Sequence, residues 1–290
     1  MAYKKGPSSL SKGRPPTLRQ KSKSISRKET RTLINAHHTL HKRRQQAIAA
    51  GDNSLVTKID KEIADLGGIE EYQRASLQGQ RNDRGGDSSK ILLDWMKPAH
   101  ADFHSIPKDR LPRMLEVGAL STSNTCSKSR MFSMTHIDLN SQQPGILQQD
   151  FLDRPLPESQ DEQFDVISLS LVVNYVPDPI QRGQMLLRTT QFLREPSSDF
   201  PPAVTGFLPS LFLVLPRSCV ANSRYCDLGR LTEIMEHLGY TQTNSKFTNK
   251  LAYFLWKRTG PSPNPIRPFP KKEVNPGHDR NNFAIILRPA

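Results

Sequence analysis

Four short strings in the middle of the chain carry side chains with an evident chemical use. Gly118 closes the apolar run MLEVGA (114–119), and a glycine at the end of a strand lets backbone approach a ligand closely. Asp138 lies in THIDL (135–139), one strand–helix–strand step later. A carboxylate at that place accepts hydrogen bonds from both hydroxyls of a ribose. Asp150 follows a short expected strand at 146–148, where it would accept from an adenine amino group, and Phe151 would lie against the ring. Asn174 and Tyr175 end the run that starts FDVISLSLVV (164–173). There an amide would present an acceptor to a base amino group and a phenol ring would stack on the base, with Ser168 and Ser170 beside them. Each residue also has a bland reading. The glycine would be a turn and the aspartates caps or solvated charges. Tyr175 would pack on the next helix, and Asn174 would cap the turn before Pro177. The four strings in this order argue for an adenosine-containing ligand more strongly than any one of them.

Such residues need strands that end at a common edge. From Leu111 onward, short apolar runs alternate with amphipathic stretches. Expected strands are 114–119, 135–139, 146–148, 164–173, 211–216 and 251–258, with expected helices at 180–194 and 227–238. This alternation indicates an open α/β sheet, which binds ligands at the carboxyl ends of its strands. Asp165 would open its strand at the far end and is read as structural. A nicotinamide site would want G-x-G-x-x-G, and the chain offers only GALSTSN from Gly118. The ordered set instead matches a class I S-adenosylmethionine-dependent methyltransferase. Ser121, Thr122, Ser123 and Asn124 would stand in for the further glycines usual in that first loop. The expected fold class is α/β, a Rossmann-like class I methyltransferase sheet with an N-terminal helical hairpin.

Charge divides the chain. Residues 1–50 hold thirteen Lys and Arg against one acid, Glu29, which is +12 of the net +13. Such a block binds polyanions by counterion release, or serves as a nuclear address. The division is residues 1–25, a disordered basic arm; 26–89, a helical hairpin and linker with a short third helix at 69–78; 90–258, the methyltransferase domain; and 259–290, a Pro-rich segment with a final strand at 281–288. His37, His38 and His41 lack a carboxylate or cysteine companion and are read as a solvated, RNA-facing surface, not a metal site. No run reaches the ~18–20 apolar residues of a membrane span, and no secretory signal is expected. Three scattered cysteines without a C-x-x-C pair give neither a disulfide framework nor zinc, and are read as packing residues. The glycine pair in RGGDSSK (84–90) would form a nest for an anion, with Arg84 at the cofactor carboxylate or an RNA phosphate. Arg224 would meet a phosphate.

The strings LEVGALSTSN, IDLN, QDFLDRPLP, FDVISLSLVVNYVPDP, RGGDSSK and RTLINAHHTLHK resemble the fungal 25S ribosomal RNA adenine-N1-methyltransferase family over nearly the whole chain. The resemblance implies an enzyme of the nucleus and nucleolus that uses S-adenosylmethionine, contacted at Gly118 and Asp138. It implies large-subunit rRNA, free or in a pre-ribosomal particle, as partner, and methylation at N1 of an adenine. The absence of an N-P-P-Y-type string argues against the amino group as acceptor. A protein or small-molecule methyltransferase would have little use for the basic arm. A related metazoan S-adenosylmethionine sensor keeps a non-catalytic alternative open. No oligomeric state is read from the sequence.

Overall fold

A computed structural model describes residues 27–68, 70–71, 74–75, 86–141, 143–196, 199–261 and 264–289. Seven strands form one sheet: β1 (Arg113–Val117), β2 (Ser133–Asp138), β3 (Ile146–Gln148), β4 (Val166–Ser170), β5 (Ser210–Pro216), β6 (Tyr240–Phe247) and β7 (Leu251–Arg258). Their order is β3-β2-β1-β4-β5-β7-β6. The first five are parallel, and β7 runs antiparallel between β5 and β6. This is the Rossmann-like class I methyltransferase sheet. The order reverses between β1 and β4, so the ends of these two strands flank the crevice where such sheets take ligands.

Strand β6 has no counterpart among the sequence expectations. Its residues YTQTNSKF are mostly exposed, so it shows neither an apolar run nor an alternating one. Tertiary pairing to β7, not local pattern, makes it a strand.

Period-two alternation divides the strand residues between two cores. Leu115, Val117, Ile137, Ile167 and Leu169 face one side, covered by α5 (Pro179–Phe192) and α6 (Leu228–His237). Met114, Val166, Phe212 and Leu255 face the other, covered by α3 (Ser89–Met96) and α4 (Thr125–Ser129). Asp165 does open β4 at the end remote from the crevice. It accepts from Arg113 N at 2.7 Å, and its other oxygen lies 3.5 Å from Arg194.

Before the sheet, α1 (Arg27–Ala49) and α2 (Asn53–Asp65) form a hairpin around Leu40, Ala47 and Ile59. Asp52 caps α2 through Leu55 N, and Arg44 meets Asp60 at 2.5 Å. The arm at 1–25 lies outside the described residues, and so does most of the third helix expected at 69–78.

The final strand expected at 281–288 does not form. Residues 264–289 make only isolated bridges, Ser223 with Asn281 and Phe269 with Leu287, and lie as a strap over α5 and α6. Arg182 in α5 donates to the Ala284 carbonyl at 2.9 Å and to the Val176 carbonyl at 2.7 Å. Arg224 donates to the Gly277 carbonyl, so its guanidinium braces the strap instead of standing ready for a phosphate. Apolar residues Phe283, Ile285 and Leu287 join the α5 core, which is why the segment reads as a strand in sequence.

Candidate functional site

The carboxyl ends of β1, β2 and β4 converge on the crevice. Gly118 has φ +73, a left-handed conformation that favours glycine, and its N–H and that of Ala119 both donate to the Ile137 carbonyl. A Cβ at Gly118 would lie 2.8 Å from Val172 Cγ2. The bare backbone of the β1 turn thus passes directly beside the end of β4. Leu171, also at positive φ (60°), turns its side chain outward at this edge. Asp138 ends β2, with its Oδ1 accepting from Asn140 N at 2.8 Å. Leu139 beside it is 53 % exposed. Sequence reasoning missed Leu139 and Leu171; the available signal was a large apolar residue directly after a strand-terminal polar one.

Beneath the β1 turn lies a buried polar cluster that was also missed. Glu116 pairs in register with His136 on β2 and Ser168 on β4. Both its oxygens accept from Asn124 Nδ2, at 2.8 and 2.6 Å. Burial pushes the Glu116 carboxyl up to about 7, against the pull of the Asn124 hydrogen bond. His136 Nε2 sits 3.5 Å from Glu116, but burial lowers the imidazole's pKa. The neutral ring makes this a polar contact, with Ser127 Oγ the nearer partner at 2.9 Å. Asn124 also caps α4 through Ser127 N. Gln143 donates to Thr122 Oγ1, and Ser121 and Ser123 bond to each other. The polar loop expected to face the cofactor is thus largely bonded within its own walls.

The described part of RGGDSSK reaches this cluster from the other side. Burial works against the ionised form of Asp87. Four hydrogen bonds outweigh it, from the N–H and hydroxyl groups of Thr125 and Ser89, and hold the carboxyl below its ordinary range. Ser88 Oγ lies 2.8 Å from Ser170 Oγ at the end of β4. The segment therefore clasps the strand ends and starts α3. Arg84 and Gly85 lie outside the described residues.

Asp150 follows β3 and sits beside the Asp138 strand end, where Gln149 N donates to the Asp138 carbonyl. One Asp150 oxygen accepts from Leu152 N. Phe151 is placed otherwise than expected. Its ring is 1 % exposed and packs 5.3 Å from Phe192, centroid to centroid, so it offers no face to a ligand. An apolar residue after a polar strand end pointed into the core here and outward at Leu139; the types alone do not distinguish the two.

On the far side of β4, Asn174 holds a buried Oδ1 with no hydrogen-bond partner among the described residues. A buried acceptor left in this state costs ~1–3 kcal/mol, so native proteins keep few of them. The Tyr175 ring lies 6.0 Å from that of His41 on α1, and His37, fully buried, stacks 6.2 Å from His41. His37 and His41 on α1 are therefore turned inward onto the acceptor turn and are not the solvated surface expected from the sequence; the side chain of His38 lies outside the described residues. Among the described residues no three His, Cys, Asp or Glu gather in metal-binding geometry, and no helix is long and apolar enough to cross a membrane.

This arrangement fits S-adenosylmethionine, the cofactor of the fold. Gly118 would give a side-chain-free approach, Asp138 would offer a carboxylate to the ribose, and the exposed apolar side chains of Leu139 and Leu171 would lie along the purine.

Residues 57–285 match the model of the family described as 25S rRNA (adenine(2142)-N(1))-methyltransferase, Bmt2. The chain belongs to this family. It is 37 % identical over 235 residues to the 25S rRNA (adenine(2142)-N(1))-methyltransferase of Saccharomyces cerevisiae, covering 81 % of this chain and 64 % of that protein. It is 38 % identical over 261 residues to the 25S rRNA adenine-N(1) methyltransferase of Schizosaccharomyces pombe, covering 87 % and 89 %. A solved N-methyltransferase, NodS from Bradyrhizobium japonicum in complex with S-adenosyl-L-homocysteine, is similar at TM-score 0.36 and 13 % identity, over 56 % of this chain and 86 % of that one. Family and relatives alike are named as methyltransferases, and nothing among them favours the non-catalytic sensor alternative.

Proposed function

We propose that this chain transfers the methyl group of S-adenosylmethionine to N1 of an adenine in large-subunit ribosomal RNA. Membership of the family carries the reading. The buried, unpartnered Oδ1 of Asn174 supports the placing of the base, because it is the acceptor an adenine amino group would satisfy.

The bound cofactor supplies an electrophilic methyl on a sulfonium. Adenine N1 carries a free lone pair at neutral pH, so no general base is required of the protein. The task left to the chain is alignment. Asn174 would hold the amino group, Tyr175 would face the ring, and Asp138 and Asp150 would orient ribose and adenine of the cofactor, Gly118 its approach. The N1 edge is hidden in a paired helix, so the target is unpaired or flipped out. The cysteines take no part. All three are buried, and burial pushes the thiols of Cys219 and Cys226 up to about 12 and that of Cys126 higher still. The basic block in residues 1–50 supports residence in the nucleus and nucleolus, with a pre-ribosomal particle as the working partner.

Two substitutions separate the halves of the site. Asp138→Asn is expected to weaken cofactor binding about tenfold by calorimetry, the loss of one charge-assisted hydrogen bond. Asn174→Ala is expected to lower kcat on RNA while leaving cofactor affinity within about twofold. The reverse pattern would move Asn174 to the cofactor and remove the proposed acceptor pocket.

A further inference from the structure

Beside the acceptor turn a groove of about 640 Å³ opens between α1, the start of α5 and the C-terminal strap. Lys42 stands on the α1 wall and Lys271 on the strap, and both are exposed. Gln45 and Gln46 add amide groups along α1. The groove's acid, Asp178, is spent locally, capping α5 by accepting from Ile180 N at 2.9 Å. The floor is fixed by Arg182, whose guanidinium is held by backbone carbonyls and lies 4.6 Å over the Phe283 ring. The groove is thus a built channel with a net positive lining.

Its position ties it to the acceptor turn. Pro177 and Asp178 form part of its wall and follow Tyr175 by two and three residues. His41, whose ring meets Tyr175, is the neighbour of Lys42. Any strand entering the pocket at Asn174 and Tyr175 from this side has to cross the groove.

We infer that this groove holds the unpaired RNA strand next to the target adenine, with Lys42 and Lys271 on successive or nearby phosphates. The inference rests on the RNA-methyltransferase reading. Unpaired RNA is held by cationic grooves that follow the backbone, aided by aromatic platforms. Lys271 Nζ lies 4.1 Å from the Tyr225 ring centroid, a cation–π contact that positions the ammonium on the strap. The amides of Gln45 and Gln46 suit base edges and 2′-hydroxyls. The site lies about 22 Å along α1 from Arg27, where the basic N-terminal residues join the helix.

The test is the full-length K42A/K271A variant beside K58A/K61A, which removes the same charge from exposed positions on α2. Binding of an unstructured adenine-containing RNA oligonucleotide is measured across a salt series. Removing two lysine–phosphate pairs on a single strand lowers the slope of log K against log salt by about 1.4. K42A/K271A is expected to show that fall and a raised KM for RNA at unchanged kcat and cofactor affinity. K58A/K61A should match the wild type, and K42R/K271R should restore the slope. An unchanged slope in K42A/K271A, or an equal fall in K58A/K61A, overturns the groove assignment and leaves the channel to a protein partner or to no partner. The slope requires no turnover. A wild type that binds RNA without methylating it would therefore sink the enzymatic reading while the slope still decides the groove.

Discussion

Gly118 and Val172 are in such close apposition that a methyl group on Gly118 would lie 2.8 Å from Val172 Cγ2. Because Gly118 also has φ +73, alanine there meets two penalties, the left-handed backbone and the collision. Gly118→Ala is expected to lose about 2–4 kcal/mol of stability in denaturant unfolding and at least about tenfold in cofactor affinity. Adding Val172→Ala should recover the collision part and not the backbone part. Full recovery, or no loss at all, would show that the β1 turn does not form the cradle described.

Glu116 makes the cofactor side of the sheet sensitive to pH. Its folded carboxyl titrates at about 7, raised from 4.5 by burial. A raised folded value means the native state binds this proton more tightly than the unfolded chain does. Its contribution is full below about pH 4.5 and is lost as pH rises through about 7, a change on the order of 3 kcal/mol. Wild-type stability should therefore fall over that window more steeply than that of Glu116→Gln, whose neutral amide does not titrate. Parallel melting-temperature profiles from pH 5 to 8 would place the Glu116 carboxyl in a more polar setting than its contacts with Asn124 and His136 describe.

The strap over α5 depends on a glycine. A Cβ at Gly183 would stand 2.0 Å from the backbone carbonyl oxygen of Ile286, and main chain cannot rotate aside. Gly183→Ala is expected to cost roughly 2–4 kcal/mol and to expose residues beyond 264 to limited proteolysis. Wild-type protease resistance would mean the strap is held elsewhere, by Arg182 and Arg224 alone.

The sheet was legible wherever burial wrote a pattern. Strands β3 and β7 coincide with the runs read in the sequence, and β1, β2, β4 and β5 differ from theirs by a few residues. Parallel strands covered on both faces are near-continuous apolar runs, which is what made them readable. β6 and the strap fail for opposite reasons: one is a strand with a polar sequence, the other an apolar sequence that packs without pairing. The site was legible as a set of strand ends, since chain order and topology fix which ends meet. Side-chain direction was not. Phe151 turns in, Leu139 turns out, and His41 of α1 packs on Tyr175. Each depends on tertiary neighbours distant in sequence. Glu116 was hidden in plain sight between Leu115 and Val117, because a carboxylate inside an apolar run gains meaning only when Asn124 and His136 are seen around it.

The most direct measurement is transfer of a tritiated methyl group from S-adenosylmethionine to deproteinised large-subunit rRNA that lacks the modification, with the product nucleosides resolved by chromatography. Methylation at adenine N1 predicts label in 1-methyladenosine, reduced in Asn174→Ala. Cofactor binding without label in RNA, in free rRNA and in pre-ribosomal particles alike, would contradict it, as would label in any nucleoside other than 1-methyladenosine.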